Sequence, residues 1–290
     1  MILRGGPAFF VSDLHGRVDR YRKLLDRILA EKPVAVFLGG DLLPGMGGTG
    51  HDFQGGKGFV MDFLEPSFRD LRRSLGVRSP RVFLILGNDD PRAFEADVLA
   101  GEADGTWEYI HERWVEWAPW RVFGYAFVPP SPFRLKDWER YDVSRYVDPG
   151  CTHPGEGVVS VPVSESELNF ATISAGLKAA IGEGALKDAI CLFHAPPYQT
   201  GLDRAALDGR RVDHVPMDVH VGSIAVRRFI ESRRPRLTLH GHVHESARLT
   251  GCWKENLGST VMLSAAHDGD ELCLVRFDPQ RPEEATRELI

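Results

Sequence analysis

The chain is predicted to fold as an α/β protein, and three features of its sequence carry that prediction. An apolar run, an amphipathic stripe and a second apolar run follow one another within residues 8–38. Further apolar runs recur down the chain, each bounded by Gly, Pro or charged residues. Asp, Asn or His stands just beyond five of these runs, where open α/β sheets bind their ligands.

AFFVS (8–12) joins aromatic and β-branched residues in one apolar run, so it reads as a buried strand that stops at DLHG. From Val18 onward, Tyr21, Leu24, Leu25, Ile28 and Leu29 recur at three- and four-residue spacing, which predicts a helix ending near Pro33. VAVFL (34–38) is the next strand. Strand, helix and strand in this order make a βαβ unit, which generates parallel sheet with a right-handed crossover. VFLIL (82–86), AICLF (189–193), RLTLH (236–240), TVMLS (260–264) and ELCLVRF (271–277) are strands on the same grounds. SIAVRRFI (223–230) and residues 165–181 read as helices, with Ser223 as an N-cap, and PRAFEADVLA (91–100) has helical spacing. Two stretches read as insertions, the glycine-rich 45–58 and the region 107–162. The second holds five of the six tryptophans (Trp107, Trp114, Trp117, Trp120 and Trp138), a density that implies packing on the main core.

At 290 residues and 43% hydrophobic, the chain has material for one large domain with elaborations. Its net charge of -6 argues against a broad grip on nucleic acid or an anionic membrane, which clustered Lys and Arg would supply. Cys151, Cys191, Cys252 and Cys273 form no CxxC pair and read as small core residues in a reducing compartment. MILRGGP leads straight into a strand, and no apolar stretch approaches the roughly 20 residues that span a bilayer, so a cytoplasmic location is expected.

The strand ends present Asp13 and His15, then Asp41, Asn88 and His194, and finally His242 and His244. A single Asp or His after a strand is ordinarily a cap or a satisfied hydrogen-bonder; five such events are hard to produce by capping alone. Carboxylate, amide and imidazole donors without thiolate suit Mn²⁺, Fe²⁺, Zn²⁺ and similar ions. Seven donors are too many for one tetrahedral zinc and too few to close two sites. Open positions for water and substrate would remain, as a two-metal hydrolase requires. His240 alternates with His242 and His244 but reads as a core or supporting histidine, and His51 and His267 are unassigned.

Taken in order, SDLHG, GGDLL, GNDD, FHAPP and GHVH resemble the motif series of the calcineurin-like metallophosphoesterases from Phe9 to Leu263. The resemblance implies a four-layer αββα sandwich of mixed sheets with the metal site at the strand carboxyl ends, residues 1–290 forming a single domain with the two insertions. It implies two divalent ions, one held by Asp13, His15 and His244 and the other by Asn88, His194 and His242, with Asp41 bridging. Manganese is the first expectation, with iron, zinc, nickel and cobalt as alternatives. The implied activity is hydrolysis of a phosphomonoester, phosphodiester or pyrophosphate by hydroxide formed on the ions. The implied partner is a small phosphoester; the acidic balance argues against nucleic acid, no membrane is expected, and the oligomeric state stays open. HVGS (220–223) resembles a stretch in relatives of the cyclic-nucleotide phosphodiesterase branch.

One position departs from the family pattern. Most members carry His directly after the motif asparagine, where it protonates the leaving group or steadies the phosphate; here that residue is Asp89. An aspartate beside cations is a poor proton donor at neutral pH. Asp89 is left with three readings: a pair with Arg92 or another cation, a hold on metal-bound water, or a hydrogen bond from substrate. Asp90 precedes Pro91 and reads as a helix N-cap. Arg134 and Lys136 could meet a phosphate or be solvated. Two alternatives to a phosphoesterase stand: an interaction scaffold on the same fold, favoured by Asp89 and opposed by the complete donor set, and a nuclease, opposed by the acidic balance and the lack of a Lys/Arg run.

Overall fold

Alternation along the strands builds two packed sheets. In the computed structural model, which describes residues 6–45, 58–182 and 184–290, Ala8 and Phe10 face one core cluster while Phe9 and Val11 face another. Apart from its two end residues, the stretch 45–58 read as an insertion lies outside the described residues, as does His51.

The first sheet has six strands, in the order β14 (Arg281–Leu289), β13 (Cys273–Asp278), β1 (Ala8–Val11), β2 (Ala35–Gly39), β3 (Arg81–Ile85) and β4 (Glu108–Tyr109). β1 to β4 run parallel, and β13 and β14 complete the sheet antiparallel. The second sheet has the order β11 (Lys254–Leu257), β12 (Thr260–Ser264), β10 (Leu237–His240), β7 (Ala189–Phe193), β6 (Trp120–Tyr125) and β5 (Trp114–Trp117). Its four central strands are parallel and both edges antiparallel. A two-stranded ribbon, β8 (Arg211–Val212) and β9 (Val215–Pro216), stands apart.

Phe10, Phe37, Phe83 and Ile85 of the first sheet share a buried cluster with Ile190, Leu192, Leu239 and Leu263 of the second. Phe37 is its aromatic centre, with ring centroids 5.0 Å from Phe83 and 5.7 Å from Trp117 of the opposite sheet. The outward faces pack with helices: α1 (Val18–Glu31) contributes Tyr21, Leu24 and Ile28, and α2 (Glu65–Leu75), entered through a π-helical segment Phe59–Leu64, contributes Phe68 and Leu71. On the second sheet, α5 (Ile173–Ile181) and α6 (Ile224–Arg233) bury Ile173, Leu177, Val226 and Ile230. α3 (Glu95–Ala103), α4 (Glu165–Phe170) and α7 (Ser246–Thr250) are the remaining α-helices among the described residues. The result is the mixed α/β sandwich of two six-stranded sheets flanked by helices.

Three expectations need correction. The region 107–162 is not an addition laid on the core throughout, because residues 108–125 supply β4, β5 and β6 to both sheets. Trp107, Trp117 and Trp138 are buried in the core clusters, as their density implied. The helix expected over 165–181 is two helices. Ser164 accepts from Glu167 N at the start of α4, Ala171 is extended, and Thr172 accepts from Ala175 N to start α5. The strand expected over 271–277 begins at Cys273.

Candidate metal centre

All five strand ends that carry the donors come to one edge of the sandwich. Asp13 follows β1, Asp41 follows β2 and Asn88 follows β3 in the first sheet; His194 follows β7, and His242 and His244 follow β10, in the second. The donor atoms of Asp13, His15, Asp41 and His244 lie within 4.8 Å of one another, as do those of Asp41, His194 and His242. Asp41 belongs to both groups. Asn88 joins the second, its Oδ1 3.1 Å from His194 Nε2.

The backbone is bent to achieve this. Asp13, His15, Asp41 and His242 have φ of 58°, 48°, 51° and 75°, a left-handed conformation that side chains other than glycine rarely adopt. Such residues cost of order 1–3 kcal/mol each and persist where the surroundings over-determine them. The glycines of the motifs answer a related demand. A Cβ on Gly87 would collide with Asp41 Oδ1, and one on Gly241 would collide with Ser12 Oγ and lie 2.8 Å from Asp13 Oδ2.

Hydrogen bonds fix the orientation of each donor. His194 Nδ1–H donates to the Gly39 carbonyl at 2.8 Å, which turns Nε2 toward Asp41 Oδ2 at 3.3 Å. His15 Nδ1–H donates to Asp89 Oδ2 at 3.1 Å, and its Nε2 faces His244 Nε2 at 3.1 Å. Asp41 Oδ1 accepts the Asp89 amide and Asp13 Oδ1 accepts the His242 amide. A ring nitrogen committed to an acceptor on one side presents its other nitrogen as a free donor atom, the usual arrangement of metal-binding histidines.

The residues fit divalent cations. Asp13 Oδ2 is buried and makes no hydrogen bond among the described residues, a costly state for a carboxylate unless a cation meets it. Burial disfavours charge on His15 and His194, yet carboxylates outweigh it in both cases. Asp89, Asp41 and Asp13 lift His15 to about 9, and Asp41, Asp13 and the Gly39 carbonyl lift His194 to about 9. Burial also raises the Asp13 carboxyl, but the His244 and His194 contacts prevail and hold it at about 2. The edge is thus an electrostatic well for positive charge. His242 goes the other way: burial and the His194 charge push it down to about 3, so it is a neutral imidazole.

The GNDD stretch resolves into three roles. Asn88 faces the second group, and Asp89 backs His15 rather than pairing with Arg92, which meets Glu95 at 3.1 Å. Asp90 is not a helix cap. Its fully buried carboxylate accepts the amides of Leu42, Leu43 and Gly87, tying the loop after β2 to the loop after β3, while Pro91 precedes a short 3₁₀ turn. Burial and the Asp41 charge raise it to about 7. His240 is a core histidine, its ring bonded to the Ala195 carbonyl and Thr238 Oγ1, and Ser223 caps α6 through Val226 N. Lys136 is neither solvated nor open to a phosphate; it is buried against Glu139 and the Ser131 carbonyl. His267 pairs with Glu271.

A cavity of about 640 Å³ opens from the donor groups, touching His15, Asp41, Asn88 and His242 at one end. On its wall stands His220, whose Nδ1 lies 2.8 Å from Asp203 Oδ1. Asp203 is fully buried and also accepts the amides of Gln199, Thr200 and Gly222. Neither member of this pair was expected as a site residue from the sequence; the only signal was the HVGS stretch ahead of α6.

A model of the family described as calcineurin-like phosphoesterase matches residues 6–246. A protein of Methanocaldococcus jannaschii, MJ1162, described as uncharacterized, is 33% identical over 81 residues, which span 27% of this chain and 31% of that relative. The match therefore spans less than a third of that relative's length. The crystal structure of TT1561 of Thermus thermophilus aligns over 99% of both chains with a TM-score of 0.55 and 16% identity, and another crystal structure aligns over 98% of both with a TM-score of 0.56 and 16% identity. At such identity these two structures speak for the fold alone. No helix among the described residues is long and apolar enough to cross a membrane.

Proposed function

We propose that this chain, which belongs to the calcineurin-like phosphoesterase family, is a hydrolase that cleaves a phosphoester at a pair of divalent ions held by its strand-end donors. One observation carries the reading: two donor groups meet at a shared carboxylate, Asp41. The first ion's donors are Asp13, His15 and His244, the second's are Asn88, His194 and His242, and Asp41 serves both. When bound, such ions supply Lewis acidity toward a phosphoryl oxygen and acidify water at neutral pH. Imidazole nitrogens among the donors favour Mn²⁺ or another transition ion over Ca²⁺, which prefers all-oxygen shells.

The chain's own residues contribute orientation and charge. Asp89, through His15 Nδ1, holds the ring so that Nε2 faces the first group. This gives Asp89 a positioning role in place of the proton donor found at that point in most family members. Asn88 offers oxygen without charge, so the second group stays more cationic toward an anionic ester. Without a histidine at position 89, an ester with an acidic leaving group is the favoured substrate, since protonation of the leaving oxygen is unaided there. Asp89 was the one feature that favoured a scaffold without chemistry, and its bond to His15 supports the enzyme instead.

The test is Mn²⁺-dependent release of nitrophenolate from an aryl phosphodiester, together with metal analysis of the purified chain. Turnover with close to two ions per chain is expected. No metal-dependent hydrolysis across mono-, di- and pyrophosphate esters would overturn the reading.

A further inference from the structure

We infer that the cavity beside the metal centre receives the organic group of the substrate, and that it selects phosphodiesters whose organic group is bulky, largely apolar and free of any second phosphate. The inference rests on the phosphoesterase reading above and adds the substrate class. The cavity, at about 640 Å³, is far larger than a phosphoryl group needs and falls within the roughly 300–1,000 Å³ typical of sites for organic ligands. Its walls away from the donor groups include Pro130, Phe133, Val143, Tyr146, Leu207 and Met217. Phe133 and Tyr146 are 61% and 68% exposed, so an apolar occupant would cover side chains that now face water.

Charge decides what the occupant lacks. Among the described residues that line the cavity there is no lysine or arginine. The charged residues beyond the donor groups and Asp89 are Asp142, Asp148, Asp218 and Glu245, all acidic. Asp142 is committed to the start of α6, where it accepts Ser223 Oγ–H and the amides of Ile224 and Ala225; Asp218 accepts the Tyr198 hydroxyl at 2.6 Å. A nucleoside polyphosphate or bisphosphate placed here would leave water for a wall of carboxylates with no lysine or arginine among its described residues to meet its further charge. An ester with a single phosphate and an aromatic or aliphatic body meets no such penalty. Its phosphate sits at the cationic end and its body on the apolar wall.

Matched nitrophenyl esters test this with the full chain and Mn²⁺. The three substrates are phenyl p-nitrophenyl phosphate, thymidine 5′-(p-nitrophenyl phosphate), and the latter carrying a 3′-phosphate. The expected kcat/KM is highest for the phenyl ester, and the added 3′-phosphate lowers it at least tenfold. Met217→Lys, which puts a cation into the wall, should shrink that loss to threefold or less. Calorimetric titration with naphthylmethylphosphonate and with adenosine 3′,5′-bisphosphate gives a readout independent of turnover, and at least tenfold tighter binding of the phosphonate is expected. Equal or better use of the 3′-phosphorylated ester, or tighter binding of the bisphosphate, overturns the inference while leaving the phosphoesterase reading in place. Absence of turnover on all three esters with the phosphonate still favoured would instead count against the phosphoesterase reading and uphold the selectivity of the cavity.

Discussion

The two donor groups that share Asp41 are built differently. In the group around His194 the ring is fully buried and is held by a backbone carbonyl, Gly39 O, with Gly87 packed too closely for a Cβ. In the group around His15 the ring is about a quarter exposed and is held by a side chain, Asp89, that is itself 44% exposed. One group is part of the sandwich; the other stands at its rim. A donor fixed by backbone and burial is set when the sheets form, whereas one fixed by a half-exposed carboxylate depends on that carboxylate and on the water around it. The His15 group should therefore be the more easily tuned or emptied, and the His194 group the more tightly coupled to folding.

Mutations can break or sharpen this contrast. Asp41→Ala removes the one donor common to both groups and should cost more than the 10–100-fold typical of an outer partner, with both ions lost. Turnover assays with elemental analysis read this directly. His194→Ala should destabilise the metal-free chain by about 1–3 kcal/mol, because it leaves the Gly39 carbonyl with Ser12 Oγ alone and takes the buried Asp41 Oδ2 away from its ring partner, the Asp89 amide on Oδ1 remaining. His15→Ala should cost well under that, and denaturant melts in chelator compare the two. Equal losses would erase the distinction between buried and rim groups.

Asp89→Asn keeps the shape but removes the anion that holds His15. Metal titration should show one of two sites weakened about 10–100-fold, the other unchanged. A change in both sites, or in neither, would contradict the assignment of Asp89 to the first group. The smallest effect is expected at the cavity wall, where His220→Ala should raise KM about 2–10-fold with kcat little changed, as for loss of one hydrogen bond to substrate. A fall in kcat at constant KM would place His220 in the chemistry instead.

What could be read from the sequence follows from how local each signal is. The buried strands β1, β2, β7 and β12 announce themselves as unbroken apolar runs, and the donors are legible because they stand directly after such runs. β14 escapes such a reading because RPEEATREL is an edge strand whose outward positions are charged; Pro282 and Ala285 are its buried residues. β11 is likewise an edge strand of mixed polarity. Asp90 misleads because DP before a helical stretch satisfies every local rule for a cap, yet its partners Leu42 and Leu43 lie nearly fifty residues away. The pairing of Asp89 with His15 is invisible for the same reason, being a contact across two strand ends. The His220–Asp203 pair gives no periodic or motif signal beyond HVGS, since it joins two loops.

The central claim is that two ions share Asp41, and anomalous diffraction from crystals grown with Mn²⁺ tests it most directly. The expected result is two peaks about 3.5–4 Å apart, as in two-metal sites generally, with an Asp41 carboxylate oxygen between them. One flanking peak should lie against Asp13, His15 and His244, and the other against Asn88, His194 and His242. A single peak, or two peaks of which only one touches Asp41, would contradict the account.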